Sequence, residues 1–310
     1  QVLKAEAALS NTYYGQDSLP SVFVNLGPGV QAALLGAPYL LQPDSVWFGL
    51  EPPITDWHTI PEFKTDREHE LYKAINAITR ALCANSQGRF AVSFTDIGGQ
   101  YDVLYSLRGA DLLTDFLEYP EIIVEAERRL DAEFLRYFFE LRDLIAPSGL
   151  GYSNWIPVLG DEPWYPFQCD LSVMISPAMF ERFVLPSLDK VSAAIGRGIY
   201  HLDGPGEINH LDMILSLKHI NAVQWVPLPQ QVPHQPWVML QDYADEMSFG
   251  VYRRCLAAGK KVVLLNIDYK QAGPIFNAVG GDGVFIFTSC PTKKEAEALI
   301  ATAHQQKWVR

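Results

Sequence analysis

The stretch IYHLDGPGEINHLDMILSLKHINAVQW, residues 199–225, predicts the fold of this chain. It opens with a short apolar run, turns at a Gly-Pro-Gly sequence, continues with helical spacing and closes with a second apolar run. Strands that alternate with helices in this way pair in parallel through right-handed crossovers. The stretch therefore predicts an α/β protein, and it places His201 and Asp203 at the end of a strand.

The same alternation runs through most of the chain. Runs rich in β-branched and aromatic residues predict strands over 21–26, 46–49, 89–94, 151–158, 197–201, 220–225, 260–266 and 283–288. Apolar residues at helical spacing predict helices over 68–85, 119–145, 176–195 and 292–306. Because seven or eight strands suit a (β/α)8 TIM barrel better than an open sheet, we expect that barrel. We interpret residues 1–310 as a single domain and the proline-rich run 226–236 as a long loop.

Composition excludes several classes of function. The chain has a formal net charge of −12 and no basic block, which disfavours nucleic acids and anionic membrane surfaces as partners. Its apolar runs are shorter than the roughly 20 residues that a membrane helix needs. The four cysteines form no CxxC pair, so we expect reduced thiols in a cytoplasmic protein. A small molecule is the expected substrate.

Polar and aromatic side chains follow the predicted strands. In a (β/α)8 barrel the active site lies at the carboxyl ends of the strands, so these side chains are candidates for a pocket. Asp96 is a candidate catalytic residue, although turn chemistry also explains it. The candidates for substrate binding share positions at or just after strand ends: Asn25, Trp155, Tyr165, Gln168, Asp170, Glu207, Gln224 and Trp225.

His201, Asp203 and Cys290 are candidate metal ligands. Residues i and i+2 of a strand point to the same face, about 7 Å apart at Cα. Cys290 ends the last predicted strand, so the three would offer one nitrogen, one oxygen and one sulfur to zinc. The alternatives are a satisfied core histidine, a turn aspartate and a buried thiol.

The segments QCDLSVMISPAMFERFVLP (168–186) and YHLDGPGEINHLDMILSLKHINAVQWVP (200–227) resemble the uroporphyrinogen decarboxylase superfamily. They are more similar to its cobamide-dependent methyltransferase branch than to true decarboxylases, whose arginine-rich loop after the first strand has no counterpart here. The resemblance implies a (β/α)8 barrel whose first strand lies upstream of residue 1. In that branch an HxC pair and a last-strand cysteine hold zinc; Asp203 stands where the first cysteine would be.

Three functions remain open from the sequence. The leading hypothesis is a metal-assisted methyltransferase that moves a methyl group between a small methylated substrate or thiol and a cobamide carried by a partner corrinoid protein. In it, Gln168 and Asp170 orient the substrate, and Trp155, Tyr165 and Trp225 shape an apolar wall. The second is a metal-free decarboxylase-type lyase, with Asp96 or Asp203 stabilising a protonated intermediate and His201 donating a proton. The third is a barrel that binds a small molecule without turnover.

Overall fold

The computed structural model describes residues 2–42, 46–48, 51–232 and 235–309. The described chain forms two compact units, one of residues 2–10 and 19–197 and the other of residues 11–18 and 198–309. Both alternate strands with helices, which confirms the α/β class. The interpretation of residues 1–310 as a single domain stays a prediction.

The first unit is mostly helical around short strands. Strand β1 pairs in parallel with β4, and β2 pairs antiparallel with β3. The elements are α1 (Val2–Ser10), β1 (Ser21–Phe23), α2 (Gln31–Leu34), β2 (Tyr39–Leu41), β3 (Val46–Phe48), α3 (Glu70–Ser86), β4 (Ala91–Ser93), α4 (Gln100–Arg108), α5 (Asp111–Glu118), α6 (Pro120–Ile145), β5 (Tyr165–Phe167), α7 (Pro177–Met179) and α8 (Leu185–Ile195).

Helix α6 forms the core of this unit. It starts with Pro120, whose fixed φ and missing N–H suit the first turn of a helix. Its predicted apolar stripe is buried, and the Phe138 ring stacks on Phe94 of the strand region at 4.9 Å. The Phe134 ring meets the edge of Tyr165 at 5.0 Å. These contacts fix β4 and β5 relative to α6.

The second unit contains a parallel sheet. Its strands lie in the order β11-β10-β7-β6, and each neighbouring pair is parallel. The elements are β6 (Gly198–Asp203), α9 (Leu211–Ser216), β7 (Ile220–Val226), β8 (Pro229–Val232), β9 (Gln235–Gln241), α10 (Glu246–Ala257), β10 (Lys261–Asp268), α11 (Ala272–Val279), β11 (Val284–Ser289) and α12 (Lys293–Gln305). Parallel pairing brings the carboxyl ends of all four strands to one edge.

Two expectations about local structure are wrong. Residues 151–158 hold only isolated bridges, at Tyr152 and Ser153, and the strand of this region is Tyr165–Phe167. Proline and charge around that strand suggest a loop, yet both of its aromatic side chains are buried against α6 and its surroundings. The proline-rich run after β7 also holds the antiparallel pair β8–β9 instead of an irregular loop.

The predicted helix over 176–195 is interrupted. Ser176 caps it as expected, since its Oγ accepts the Met179 N–H at 3.3 Å. A π-helical turn over Phe180–Val184 then separates α7 from α8, one turn before the expected break at Pro186. Pro186 has no N–H to donate to a backbone carbonyl of the turn before it, so the helix is irregular in that turn.

Among the described residues, a search for membrane-spanning helices finds none with the necessary length and apolar character.

Candidate functional site

The end of β6 carries the candidate site of the second unit. Along this strand Leu202 is buried, His201 is half-buried and Asp203 is exposed. The ligand atoms of His201 and Asp203 lie within 4.8 Å of one another. The i, i+2 spacing has therefore brought an imidazole and a carboxylate together on one side of the strand, as predicted from their alternation.

Gln224 supports His201 from the neighbouring strand. The two residues are register partners in the parallel β6–β7 pair. The Oε1 atom of Gln224 faces Nδ1 of His201 in a short hydrogen bond. Gln224 is only 2% exposed, so its amide is held inside the protein instead of in an open pocket. Its role in substrate binding remains a prediction, and its observed contacts are with His201 and with the backbone carbonyl of Trp225.

Glu207 supports Asp203 in a similar way. The chain turns at Gly204, whose φ of +95° favours glycine, and enters a 3-10 helix over Pro205–His210. This turn returns Glu207 toward the strand, where its Oε2 accepts the backbone N–H of Asp203 at 3.1 Å. Glu207 is fully buried, whereas Asp203 is exposed. The buried carboxylate thus fixes the backbone from which the exposed one projects.

Tyr243 is a member of this region that the sequence analysis missed. Burial, and then the negative charge of Asp203, raise the pKa of Tyr243 to about 12. The phenol therefore stays neutral at physiological pH and donates to Oε1 of Gln241 at 3.1 Å. Tyr243 follows strand β9, which the sequence did not predict, and so it was not recognised as a residue near a strand end.

Trp225 lies on the opposite side of β7 from its neighbour Gln224. Its side chain is fully buried, and the indole N–H donates to Oγ of Ser248 on α10 at 2.9 Å. This contact places the ring between the sheet and α10. Trp225 consequently has a clear packing role, whereas its predicted place in an apolar pocket wall has no contact that supports it.

Cys290 follows β11 and lies in the wall of a separate feature. Together with Tyr13, Phe276, Phe287 and Ile300 it lines a cavity of about 510 Å³. Burial, and then the charge of Glu295, raise the pKa of the Cys290 thiol. In the part of the chain that the structure describes, Cys290 belongs to no group of three potential ligands within 4.8 Å. The predicted N, O, S set is therefore not assembled here.

In the first unit, Asp96 and Tyr165 form a buried brace. The Tyr165 hydroxyl accepts the N–H groups of Ile97 and Gly98, both at 2.9 Å, and donates to Asp96 Oδ1 at 3.3 Å. Asp96 Oδ1 also accepts the Gly98 N–H at 2.9 Å. These bonds fix the turn after β4. Both side chains therefore have a structural role in holding the backbone of this turn. For Asp96 this is the turn role that the sequence offered as the alternative to catalysis.

Asp102 is a second residue that the sequence analysis did not single out for catalysis. Its two carboxylate oxygens accept the N–H groups of Asp170 and Leu171 at 3.1 and 2.9 Å. Burial, and then the charge of Asp170, nevertheless raise the pKa of Asp102 to about 7. An acid of this kind can hold or release a proton at neutral pH. Asp170 itself is exposed.

The remaining candidates of this unit lie in turns and loops. Gln168 is buried, and its carbonyl oxygen lies so close to Gly99 that an added Cβ there would be 2.3 Å away. That close approach explains the glycine at position 99. Asn25 is exposed, and its Oδ1 accepts the Gly27 N–H at 3.0 Å, which is an ordinary Asx turn. Trp155 is half-buried.

Comparison with known proteins leaves the family open. Neither the family models nor the curated proteins give a match to this chain. Among solved structures, a methyltransferase from Methanosarcina mazei is similar, with a TM-score of 0.59 and 9% sequence identity. The similarity covers 93% of this chain and 81% of that one. At this identity it shows an α/β fold in common with that methyltransferase and nothing finer.

Proposed function

We propose that this chain is a methyltransferase of the (β/α)8 type that binds a divalent metal ion through His201 and Asp203. The observation that carries the proposal is the pair of donor atoms within 4.8 Å at the end of β6. The fold shared with the Methanosarcina mazei methyltransferase supports it. The resemblance of residues 200–227 to the cobamide-dependent methyltransferases is a second, independent support.

The donor pair fits a zinc ion chemically. Zinc bonds to nitrogen and oxygen are about 2.0–2.2 Å long, so two ligands of one ion lie about 3.4 Å apart in tetrahedral geometry. Donors already within 4.8 Å need only a small side-chain adjustment. Asp203 supplies the negative charge that a cation requires. Because a carboxylate is a harder ligand than a thiolate, this site also accepts harder divalent ions than the HxC pattern does.

The residues have distinct roles in this proposal. His201 and Asp203 would hold the ion, with Gln224 and Glu207 fixing them from the buried side. A bound divalent ion would supply Lewis acidity toward a heteroatom or thiol. Tyr243, whose pKa is raised by burial and then by the charge of Asp203, would stay neutral and add no charge to the site. Cys290 is left out of the ligand set because, within the described residues, it joins no group of three potential ligands and lies in the wall of the cavity.

The proposed reaction transfers a methyl group between a small substrate and a corrinoid carried by a partner protein. In one direction the carbon–heteroatom bond breaks, its electron pair stays on the heteroatom, and solvent supplies the proton. A reduced corrinoid, as the methyl acceptor, would supply the electron pair for the new cobalt–carbon bond. The transfer would need no oxidant or reductant beyond that acceptor.

The test uses free cobalamin as the probe. Zinc-loaded protein is mixed anaerobically with cob(I)alamin and one donor class at a time: a methoxyaryl, a methylammonium or a methylthiol compound. We expect at least one donor class to convert cob(I)alamin to methylcobalamin, and the absorption spectrum measures this conversion. The His201→Ala variant should be inactive, and the Trp225→Phe variant should retain activity. A well-folded, zinc-loaded protein that leaves the cobalamin spectrum unchanged with every donor, and methylates no thiol from methylcobalamin, would contradict the proposal.

One observation favours the lyase as a second candidate. The pKa of Asp102 is raised to about 7, which suits a residue that exchanges a proton with a substrate. A lyase of that kind would lose activity in Asp102→Asn and would not need His201 to hold a metal. Decarboxylation of a small carboxylated substrate by metal-free protein, abolished by Asp102→Asn alone, would select it.

A further inference from the structure

The amide of Gln224 is fixed at both of its ends. Its Nε2 donates to the backbone carbonyl of Trp225 at 3.1 Å, and its Oε1 faces Nδ1 of His201. A rotation of the amide by 180° would place Oε1 against the carbonyl oxygen of Trp225, where no hydrogen lies between the two acceptors. The backbone carbonyl therefore decides which end of the amide His201 meets.

This arrangement decides where the proton of the imidazole lies. Amide Oε1 is an acceptor only, so Nδ1 of His201 must carry the hydrogen of their bond. In the neutral ring Nδ1 then donates, and the lone pair lies on Nε2. Gln224 does this without placing a negative charge at a buried position next to His201. An ionised acid at 224 would accept the same bond at the cost of burying its charge.

We propose that Gln224 is a positioning residue, which selects the Nδ1–H tautomer of His201 and so presents the Nε2 lone pair to a divalent cation. The metal-binding half of this statement rests on the proposed function; the tautomer half does not. Metal-bound histidines commonly donate their second ring N–H to an oxygen acceptor, which fixes the ring and raises its basicity. The register pairing of His201 with Gln224 builds that acceptor into the sheet.

Nitrogen-15 NMR of the imidazole tests the tautomer in metal-free protein at about pH 8.5, where an ordinary imidazole is neutral. We expect the His201 ring to show a protonated Nδ1 and an unprotonated Nε2. In Gln224→Leu, which fills the same space without an acceptor, this preference should be lost. A wild-type ring protonated at Nε2 would overturn the inference.

Zinc affinity provides the second readout, with variants matched to the same contact. Gln224→Leu should weaken zinc binding about 10–100-fold, the effect typical of removing an outer partner of a metal ligand. In Gln224→Glu, a protonated carboxyl can donate to the Trp225 carbonyl through one oxygen and accept from Nδ1 of His201 through the other, so this variant should regain most of the lost affinity. The control is Gln16→Asn at the exposed contact between Gln16 and His304, where Oε1 lies 3.0 Å from Nε2. That variant should change neither the zinc affinity nor the His201 spectrum.

The two readouts separate the inference from the proposed function. A protonated Nδ1 in a protein that binds no zinc would contradict the metal site and support the tautomer assignment. Zinc binding that is equal in wild type and in a folded Gln224→Leu would contradict the positioning role and leave the metal site standing.

Discussion

Two clusters of ionisable side chains show how differently this molecule uses acidic groups. In the first unit, Glu127 and Asp131 of α6 are 3% and 2% exposed. The Ser187 hydroxyl lies 3.0 Å from one carboxyl and 2.6 Å from the other, and Lys190 pairs with Asp131 at 3.0 Å. At the end of β6 in the second unit, Asp203 is exposed instead, and only its supporting residues are buried.

The buried cluster makes its side-chain hydrogen bonds to other residues of the first unit. A hydroxyl has one hydrogen, so Ser187 can donate to only one of two carboxyls, and the other must itself be protonated and donate. Burial, and then the charge of Asp131, raise the pKa of Glu127 well above its ordinary range. Because Lys190 pairs with Asp131, we expect Glu127 to be the protonated partner, and the cluster joins α6 to α8. Side chains that bind a ligand must be accessible to it, and buried neighbours must hold them in place. Of these two clusters, the His201–Asp203 pair meets both conditions.

The largest expected effect is the loss of the metal site in His201→Ala. Removing the nitrogen ligand leaves the aspartate as the remaining proposed protein ligand, so zinc affinity should fall more than about 100-fold, beyond the loss typical of an outer partner. Isothermal titration calorimetry of zinc measures it. The exposed His304→Ala on α12 is the matched control and should bind zinc as wild type does. Equal affinities in wild type and His201→Ala would remove the contrast between the two clusters.

The next effect tests the buried cluster through pH. Because the folded pKa of Glu127 lies above its unfolded value, the folded state binds its proton more tightly, and stability falls as pH rises toward the folded pKa. The unfolding free energy of wild type should fall with a slope of up to about 1.4 kcal/mol per pH unit relative to Glu127→Gln. The amide of that variant can donate to Ser187 at every pH.

Urea unfolding between pH 6 and 9 provides the comparison. The control is Glu125→Gln on the same helix, where bonds to Arg128 and then Arg129 lower the pKa of Glu125 to about 2. That carboxylate stays charged over the whole range, so its replacement should leave the slope as in wild type. Parallel pH profiles for wild type and Glu127→Gln would show that the buried acid does not hold a proton.

A smaller effect is expected at Trp225. Trp225→Phe removes the bond from the indole to Ser248 in the core between sheet and helix, and should cost about 1–2 kcal/mol of unfolding free energy. Zinc affinity should be unchanged, because the ring lies on the opposite side of β7 from Gln224. Thermal unfolding and calorimetry measure the two quantities. A large loss of zinc binding at unchanged stability would return Trp225 to the pocket.

The smallest expected effect is that of Cys290→Ser. Cys290 lines the cavity, as Tyr13 does, and belongs to no group of three potential ligands with His201 and Asp203 in the described part of the chain. Zinc affinity should therefore stay within about twofold of wild type, since each further protein ligand to zinc would change it far more. A drop as large as that of His201→Ala would identify Cys290 as a ligand and would restore the three-donor set predicted from the sequence.

Periodicity predicts the sheet of the second unit well and the site only in part. The strands ending at Asp203, Val226, Asp268 and Ser289 follow from continuous apolar runs, and the i, i+2 rule places His201 beside Asp203. Tyr165–Phe167 could not be predicted, because its proline and flanking charges hide a strand that tertiary packing against Phe134 stabilises. Tyr243 and Asp102 were missed because burial, and then the charges of Asp203 and Asp170, raise their pKa values, and these neighbours are distant in the sequence.

The partners of the site residues are also invisible in the sequence. Gln224 looks like a strand-end polar residue that could bind a substrate, and only the register of β6 against β7 shows that it meets His201. Cys290 looks like a ligand because it ends a strand, but strand ends share an edge without sharing one point. Spacing along one strand is reliable over two residues, whereas convergence between strands depends on sheet geometry that composition does not contain.

Anomalous scattering at the zinc absorption edge from zinc-soaked crystals tests the central claim most directly. We expect one strong peak about 2.0–2.2 Å from both the Nε2 atom of His201 and a carboxylate oxygen of Asp203. A peak at the Cys290 sulfur with none at the end of β6, or no ordered zinc at all in crystals of the folded protein, would contradict it.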